Sequence, residues 1–243
     1  MTTTTSTSRR SSADAASATI RRADRAAPVA HVRCSTRADG DFHRTNVPLA
    51  ELEPRRRALV DLPWSMLDEH HGVGVREVTR PGEHDGATGD VLVTGRSGAV
   101  LGCWVADCAP VVLIGVSGRI AVAHAGWRGL ASGVLDVALD ALAEPVGDVA
   151  LGPTIGPCCY EFGAAELEQV AHGLGVSVGR VAARTRDGRT ALDVAAAVGA
   201  FATRHGATYG RLGGCTGCTY PGFSHRARRD PQRHVVAVWQ DPA

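Results

Sequence analysis

The stretch from residue 99 to 116 constrains the fold more than any other part of the chain. It is apolar almost throughout and long enough to raise the question of a membrane span, but Asp107 and Pro110 interrupt it. A charge and a ring without an N–H are costly inside a membrane helix, whereas two short buried strands joined by a bend accommodate both. The stretch therefore reads as core strands at 99–105 and 111–116. Residues 91–94, 120–123, 148–151 and 234–239 continue the pattern as strands bounded by glycine or charged turns. Residues 130–142, 164–172 and 192–205 carry apolar positions at helical spacing. Strands that follow one another within a few residues suit antiparallel pairing, so the expected fold class is α+β rather than a doubly wound sheet.

The first 27 residues differ from the rest. Ser, Thr, Ala and Arg dominate them, and they offer little apolar surface to offset the entropy of ordering. They are expected to form a disordered tail, with residues 28–243 as a single domain, since no repeat or second linker appears. Lys and Arg together number 26 against 25 acidic residues, which is not the basic footprint of a nucleic-acid binder. Seven cysteines is an odd number, and no hydrophobic signal segment precedes them. Free or metal-bound thiols in a reducing, cytoplasmic compartment are the expectation, with no membrane partner.

Three segments place reactive residues directly after buried strands, where a rigid scaffold can hold functional side chains. They are Val105-Ala106-Asp107-Cys108-Ala109-Pro110, the run from Ala121 to Gly129 that contains His124, and the loop from Gly152 to Glu161 that ends in vicinal Cys158-Cys159. Taken singly, Cys108 reads first as a small buried hydrophobe and His124 as a core histidine bonded to a carbonyl. Taken with His71, they form a set of imidazole and thiolate donors that suits zinc, and three protein ligands leave a fourth position for water or substrate. The turn after His124 opens a helix whose N–H groups, helped by Arg128, would attract an anion. Cys215-Thr216-Gly217-Cys218 is a Cys-x2-Cys pair without an obvious second pair. Vicinal Cys158-Cys159 makes a poor one, so both pairs read as packing or substrate-lining residues rather than as a metal or redox site.

Ala-Asp-Cys-Ala-Pro (106–110), Ala-His-Ala-Gly-Trp-Arg-Gly (123–129) and Gly-Pro-Thr-Ile-Gly-Pro-Cys-Cys-Tyr-Glu (152–161) resemble the laccase-domain (YfiH-like) family. That family was formerly labelled multicopper polyphenol oxidoreductase and is now described as zinc-dependent purine nucleoside phosphorylase. The similarity runs from about Ser35 to the C-terminal strand. It implies a four-layer α/β/β/α arrangement with largely antiparallel sheets. It also implies a metal held by His71, Cys108 and His124, the three residues expected to be catalytic. The substrates implied are adenosine, inosine and S-methyl-5'-thioadenosine with phosphate, with adenosine deamination as a side activity in some members. The family's Cys-Thr segment matches Cys215-Thr216, and its Ser-Tyr-Arg segment matches Ser224-His225-Arg226. Glu69-His70 stands where the family has Gln-Val.

Within that reading, Arg226, Arg128 and Arg37 are the candidate phosphate ligands, because a planar guanidinium matches phosphate oxygens. Zinc is the expected cofactor. A copper-dependent polyphenol oxidase is the competing reading, yet no two of the ten histidines are separated by a single residue, the repeated His-x-His spacing that such oxidases carry. The nucleobase-deaminase signature, His-x-Glu with Pro-Cys-x-x-Cys, is also missing.

Overall fold

The computed structural model describes residues 17–20 and 28–242, and within it the apolar runs of the chain's middle are strands buried on both faces. The elements in order are β1 (Ser17–Ile20), β2 (Ala30–Cys34), α1 (Leu49–Leu59), β3 (Trp64–Met66), β4 (Val75–Glu77), β5 (Val91–Thr94), β6 (Val100–Val105) and β7 (Ala109–Gly115). They continue with β8 (Ile120–Ala125), α2 (Trp127–Ala131), α3 (Val134–Leu142), β9 (Val146–Leu151), α4 (Ala164–Gly173) and β10 (Ala182–Arg184). The last are β11 (Thr190–Leu192), α5 (Val194–Arg204), β12 (Thr208–Arg211), α6 (His225–Arg228) and β13 (His234–Gln240). The class is a mixed α+β fold with several sheets, as expected.

One sheet has the order β1-β2-β13-β6-β3 and another β12-β9-β7-β8-β5-β4, with β10 and β11 forming a separate hairpin. Most neighbours run antiparallel, but β3–β6, β4–β5 and β9–β12 are parallel pairs. The two strands of the 99–116 run do not pair with each other. β6 lies in the first sheet and β7 in the second, so the chain changes sheets at Ala106-Asp107-Cys108. β7 then pairs antiparallel with β8 through a short turn, as the spacing predicts.

Alternation along these strands explains why nearly every residue is apolar. On β7, Val111 and Leu113 face a helix-covered core while Val112 and Ile114 face the other sheet. On β6, Leu101, Cys103 and Val105 face the second sheet, and Val100 and Trp104 turn the other way. Successive side chains on a strand point to opposite faces, so a strand covered on both sides loses the polar half of its pattern. The core is thus in three parts. The first lies between the second sheet and α2 to α5, the second between the two sheets, and the third between the first sheet and α1. On α3, Val134, Leu135, Ala138 and Leu142 supply the stripe that faces the sheet.

Helix 130–142 of the sequence reading is divided. α2 stops at Ala131, and α3 restarts after Gly133, whose φ of 78° is left-handed. Ser17–Ile20 fall inside the expected tail but pair antiparallel with β2, from Ser17 opposite Arg33 to Ile20 opposite Ala30. The remainder of that expected tail, 1–16 and 21–27, lies outside the described residues. Among the described residues, no helix is long and apolar enough to cross a membrane.

Candidate metal centre and cleft

Where the chain changes sheets, Asp107 adopts a φ of 101°, a conformation that non-glycine residues rarely hold. Four bonds fix it there. Its Oδ1 accepts from Thr216 Oγ1 at 2.6 Å and its Oδ2 from the Arg226 N–H at 2.6 Å. Its carbonyl accepts from Thr154 Oγ1 at 2.7 Å and from the Ile155 N–H at 3.0 Å. Asp107 thereby fastens the 152–161 and 213–226 loops to the sheet crossing. Cys108, the next residue, is aimed into a cleft.

His124 is the fifth residue of β8 and shares the inter-sheet face with Ile120 and Val122. His71 comes from the 67–74 loop, in a left-handed conformation of φ 61°. Asp90, just ahead of β5, organises both. Its carboxylate accepts the N–H groups of His70, His71 and Gly72 at 3.1, 2.8 and 2.8 Å, and it bonds His124 Nδ1 at 2.9 Å. That bond occupies Nδ1 of His124 and leaves its Nε2 for the cleft, the usual backing of a metal-binding imidazole. The ligand atoms of His71, Cys108 and His124 lie within 4.8 Å of one another, with Cys108 Sγ 3.6 Å from His71 Nε2. A Cβ at Gly126 would stand 2.6 Å from His71 Cδ2 and 3.2 Å from Cys108 Sγ, so only glycine lets the backbone approach the trio.

The electrostatics suit a cation. Burial works against a charged His124, but Glu69 and Cys108, then the Asp90 bond, outweigh it and raise its pKa. Burial likewise opposes a Cys108 thiolate, yet the two histidines lower it to about 6. Burial pushes Asp90 upward, but the His124 bond and the Gly72 and His71 N–H groups hold it below its usual range. Glu69, 3.7 Å from His124 Nδ1 and bonded by the Trp104 N–H, is pushed up to about 8 by burial. Two imidazoles and a readily ionised thiol, backed by a carboxylate, match the donor set of a zinc site with an open position.

The trio lines a cleft of about 430 Å³, within the ~300–1,000 Å³ range of small-molecule sites. Arg128, Arg226, Arg233, His43, His225 and Tyr160 line it as well. The guanidinium of Arg128 sits 4.5 Å from the Trp127 ring centroid and that of Arg226 5.2 Å from the Tyr160 ring. Rings that hold an arginine at its face limit its rotamers while leaving its N–H groups free for a ligand. Burial raises the Tyr160 pKa, so its phenol keeps its proton.

Two expectations need correction. Arg37 is not part of the cleft lining. Its guanidinium is committed to the Gly222 carbonyl, to Asp230 and to the Phe223 face. The helix opening at Gly126 spans five residues, so the anion attraction expected of it rests on the charge of Arg128 rather than on a long helix dipole. Sequence reasoning also passed over Asp90, Tyr160, His43 and Arg233. Asp90 had one visible signal, a lone carboxylate abutting the apolar 91–94 run.

Residues 40–241 match the family model described as Multi-copper polyphenol oxidoreductase laccase. A Pseudomonas aeruginosa protein named Purine nucleoside phosphorylase PA4543 is 42% identical over 127 residues, which are 50% of this chain and 51% of that protein. The chain thus spans about half the length of that curated relative. Purine nucleoside phosphorylase SCO2081 of Streptomyces coelicolor is 36% identical over 185 residues, 72% of this chain and 74% of that one. Among solved structures, Neisseria meningitidis protein NMB0706 superposes with a TM-score of 0.76 at 23% identity, covering 93% of this chain and 98% of that chain. YlmD from Geobacillus stearothermophilus gives 0.72 at 24% identity, covering 96% and 98%. These two likenesses speak to the fold.

Proposed function

The chain belongs to the family described as Multi-copper polyphenol oxidoreductase laccase, and from that membership and the cleft's geometry we propose that it cleaves purine nucleosides with phosphate. The observation that carries the proposal is a single cleft holding both a His-Cys-His donor trio and two ring-stacked arginines. Adenosine, inosine and S-methyl-5'-thioadenosine are the proposed substrates. Adenosine deamination is a proposed side activity.

Breaking the N-glycosidic bond builds positive charge on the ribose and negative charge on the departing purine. His71, Cys108 and His124 would hold zinc, which when bound supplies Lewis-acid stabilisation of developing negative charge. The chain's own groups do the rest. Arg226 and Arg128 bind the oxygens of the hydrogen phosphate dianion with charge-assisted bonds and present it to C1′. Asp90 fixes the tautomer and orientation of His124, and Tyr160 donates a hydrogen bond from a phenol that stays protonated. Trp127, Ile155 and Val194 add apolar surface to the cleft wall.

The family description also raises copper oxidation of phenols. Multicopper chemistry needs ligands for several coppers, whereas the cleft offers two histidines and one cysteine within ligating distance of each other. The proposal extends to architecture and setting. Residues 28–243 are taken as one domain, a view supported by β2 and β13 pairing along five positions of one sheet. The three-part core supports an α/β/β/α layering. Seven free thiols suit a reducing, cytoplasmic compartment.

The test is product analysis of purified protein with inosine across a phosphate series. Hypoxanthine should appear with ribose 1-phosphate at a rate that rises with phosphate and saturates. Phosphate-independent release of free ribose would make the enzyme a hydrolase, and conversion of adenosine only to inosine would make deamination the main activity. Either result overturns the proposal.

A further inference from the structure

Outside the cleft, a second set of potential ligands comes together from two loops. The ligand atoms of Cys158, Cys159, Cys215 and Cys218 all lie within 4.8 Å of one another. The vicinal pair sits in a tight 3-10 turn, Pro157–Cys159, that follows β9. The Cys-x2-Cys pair sits in a turn in which the Cys215 carbonyl accepts the N–H groups of Cys218, Thr219 and Tyr220 at 3.2, 2.8 and 2.9 Å. The sequence offers no obvious second pair for Cys215 and Cys218, and the fold brings the vicinal pair within ligating distance of them. A bridge between Thr154 and Cys215, with the Thr216 N–H donating to the Thr154 carbonyl at 3.1 Å, brings the two turns face to face.

From this geometry we propose a second metal site, a mononuclear zinc held by the four thiolates. Four sulfurs at tetrahedral corners around zinc, with Zn–S near 2.3 Å, stand about 3.8 Å apart. The Cys158 and Cys218 sulfurs are 3.6 Å apart, and the other pairs fall within the same cage. Such spacing is far beyond a disulfide bond of ~2.0 Å and matches one central ion.

Two glycines shape the cage independently of the cysteines. A Cβ at Gly217 would stand 2.8 Å from Cys159 Cβ and 3.0 Å from its Sγ. A Cβ at Gly156 would stand 3.2 Å from Cys215 Cβ and 3.4 Å from the sulfurs of Cys158 and Cys215. The Gly156 N–H also donates to Cys215 Sγ at 3.1 Å, as backbone amides do to a metal-bound thiolate. On binding a divalent ion, each ligating thiol gives its proton to solvent. Cys218 is exposed, so an ion reaches the cage from outside.

The zinc's role would be to lock two loops. One carries Tyr160 and the other Arg226, the stacked pair of the cleft. Four thiolates leave no open position, so this zinc is structural.

The experiment counts metal in the full chain purified under reductant. Elemental analysis should give two zinc per chain in the wild type. It should give one in the double variant Cys158→Ser with Cys218→Ser, and one in Cys108→Ala, which empties the cleft but leaves the cage. Cobalt added to metal-free Cys108→Ala should give the intense visible bands and thiolate-to-cobalt charge transfer of a tetrahedral tetrathiolate. That readout does not depend on the double variant folding well. Cys108→Ala protein with no metal, iron in place of zinc, or a disulfide among the four cysteines would overturn the assignment. Because these measurements never use nucleoside, they stand or fall separately from phosphorolysis.

Discussion

In the cleft, one thiol meets two imidazoles, and each is positioned by secondary structure or by a carboxylate. His124 rides on β8, Cys108 follows the sheet crossing, and Asp90 gathers the N–H groups of the His71 loop. Across the 152–161 and 213–226 loops, four thiols meet in two turns that glycines and backbone N–H groups bring together. The first cluster has three donors, a buried acidic backing and a cavity beside it, so an ion there keeps a position for a ligand. The second is saturated by its own sulfurs. The contrast teaches that the donor count and what stands behind each donor, rather than the presence of cysteine, separate a site that can do chemistry from one that holds loops together.

The sharpest way to break this comparison is Cys108→Ala. Turnover should fall to background while one zinc per chain and the far-UV circular dichroism persist; retention of both zincs with full turnover would erase the distinction. Acid should next act on the loop side. Burial lowers the His234 pKa to about 4, and the Arg233 charge adds to the shift. His234 packs beside Tyr220, and its Nδ1 accepts the Phe223 N–H, both in the loop that carries Cys215 and Cys218. A folded pKa below the unfolded value near 6.5 means that the unfolded chain binds the extra proton first. Stability from this group is complete above pH 6.5, declines as pH falls toward 4, and declines no further below that. The total is roughly 3 kcal/mol at 1.36 kcal/mol per pK unit. Denaturant titrations between pH 7 and 4 should show that loss and show it flattened in His234→Leu.

Asp90→Asn tests the carboxylate backing. Metal affinity at the cleft should drop about 10- to 100-fold, the usual cost of losing a partner behind a ligand, with the cysteine cage unaffected in competition titrations. Arg226→Ala should have the smallest effect, raising the phosphate KM about tenfold, in line with the loss of one charge-assisted bond, while both zincs stay bound. A zinc loss in Arg226→Ala would mean that the loop and the cage are one unit.

Much of the second sheet was legible because its signals are local. β5, β7, β8 and β9 are predominantly apolar runs with turns at their ends, and their observed limits lie within two residues of the sequence reading. The segment from 28 to 90 gave no such signal. β3 and β4 are three residues each, and α1 carries Pro54 inside it and buries Arg56 along with Leu52 and Leu59. That arginine, 1% exposed, lies inside because Asp85 accepts from both its terminal nitrogens at 2.8 and 3.1 Å, a tertiary bond no local pattern reveals. Cys108 and His124 could be chosen because each lies beside or within a visible apolar strand, whereas His71, in a loop of the 28–90 segment, had only its imidazole chemistry and the family resemblance to mark it. The cysteine cage could not, since tertiary contacts set the two loops against each other: the bridge between Thr154 and Cys215, the Gly156 N–H bond to Cys215, and the anchoring of both loops on Asp107.

The three-residue crossing at Ala106-Asp107-Cys108 has a mechanical consequence. Four Cα steps from Val105 to Ala109 reach at most about 14 Å, while packed sheets stand roughly 10 Å apart, so the tether has little slack. Any sliding of one sheet over the other must pull on Cys108, one of the three proposed metal ligands. A metal held by the trio would then act as a strain gauge for the sheet interface. Compression by hydrostatic pressure, or a bulkier side chain wedged between Val105 and Val112, would register as a shift in the cobalt spectrum of the cleft before any unfolding began.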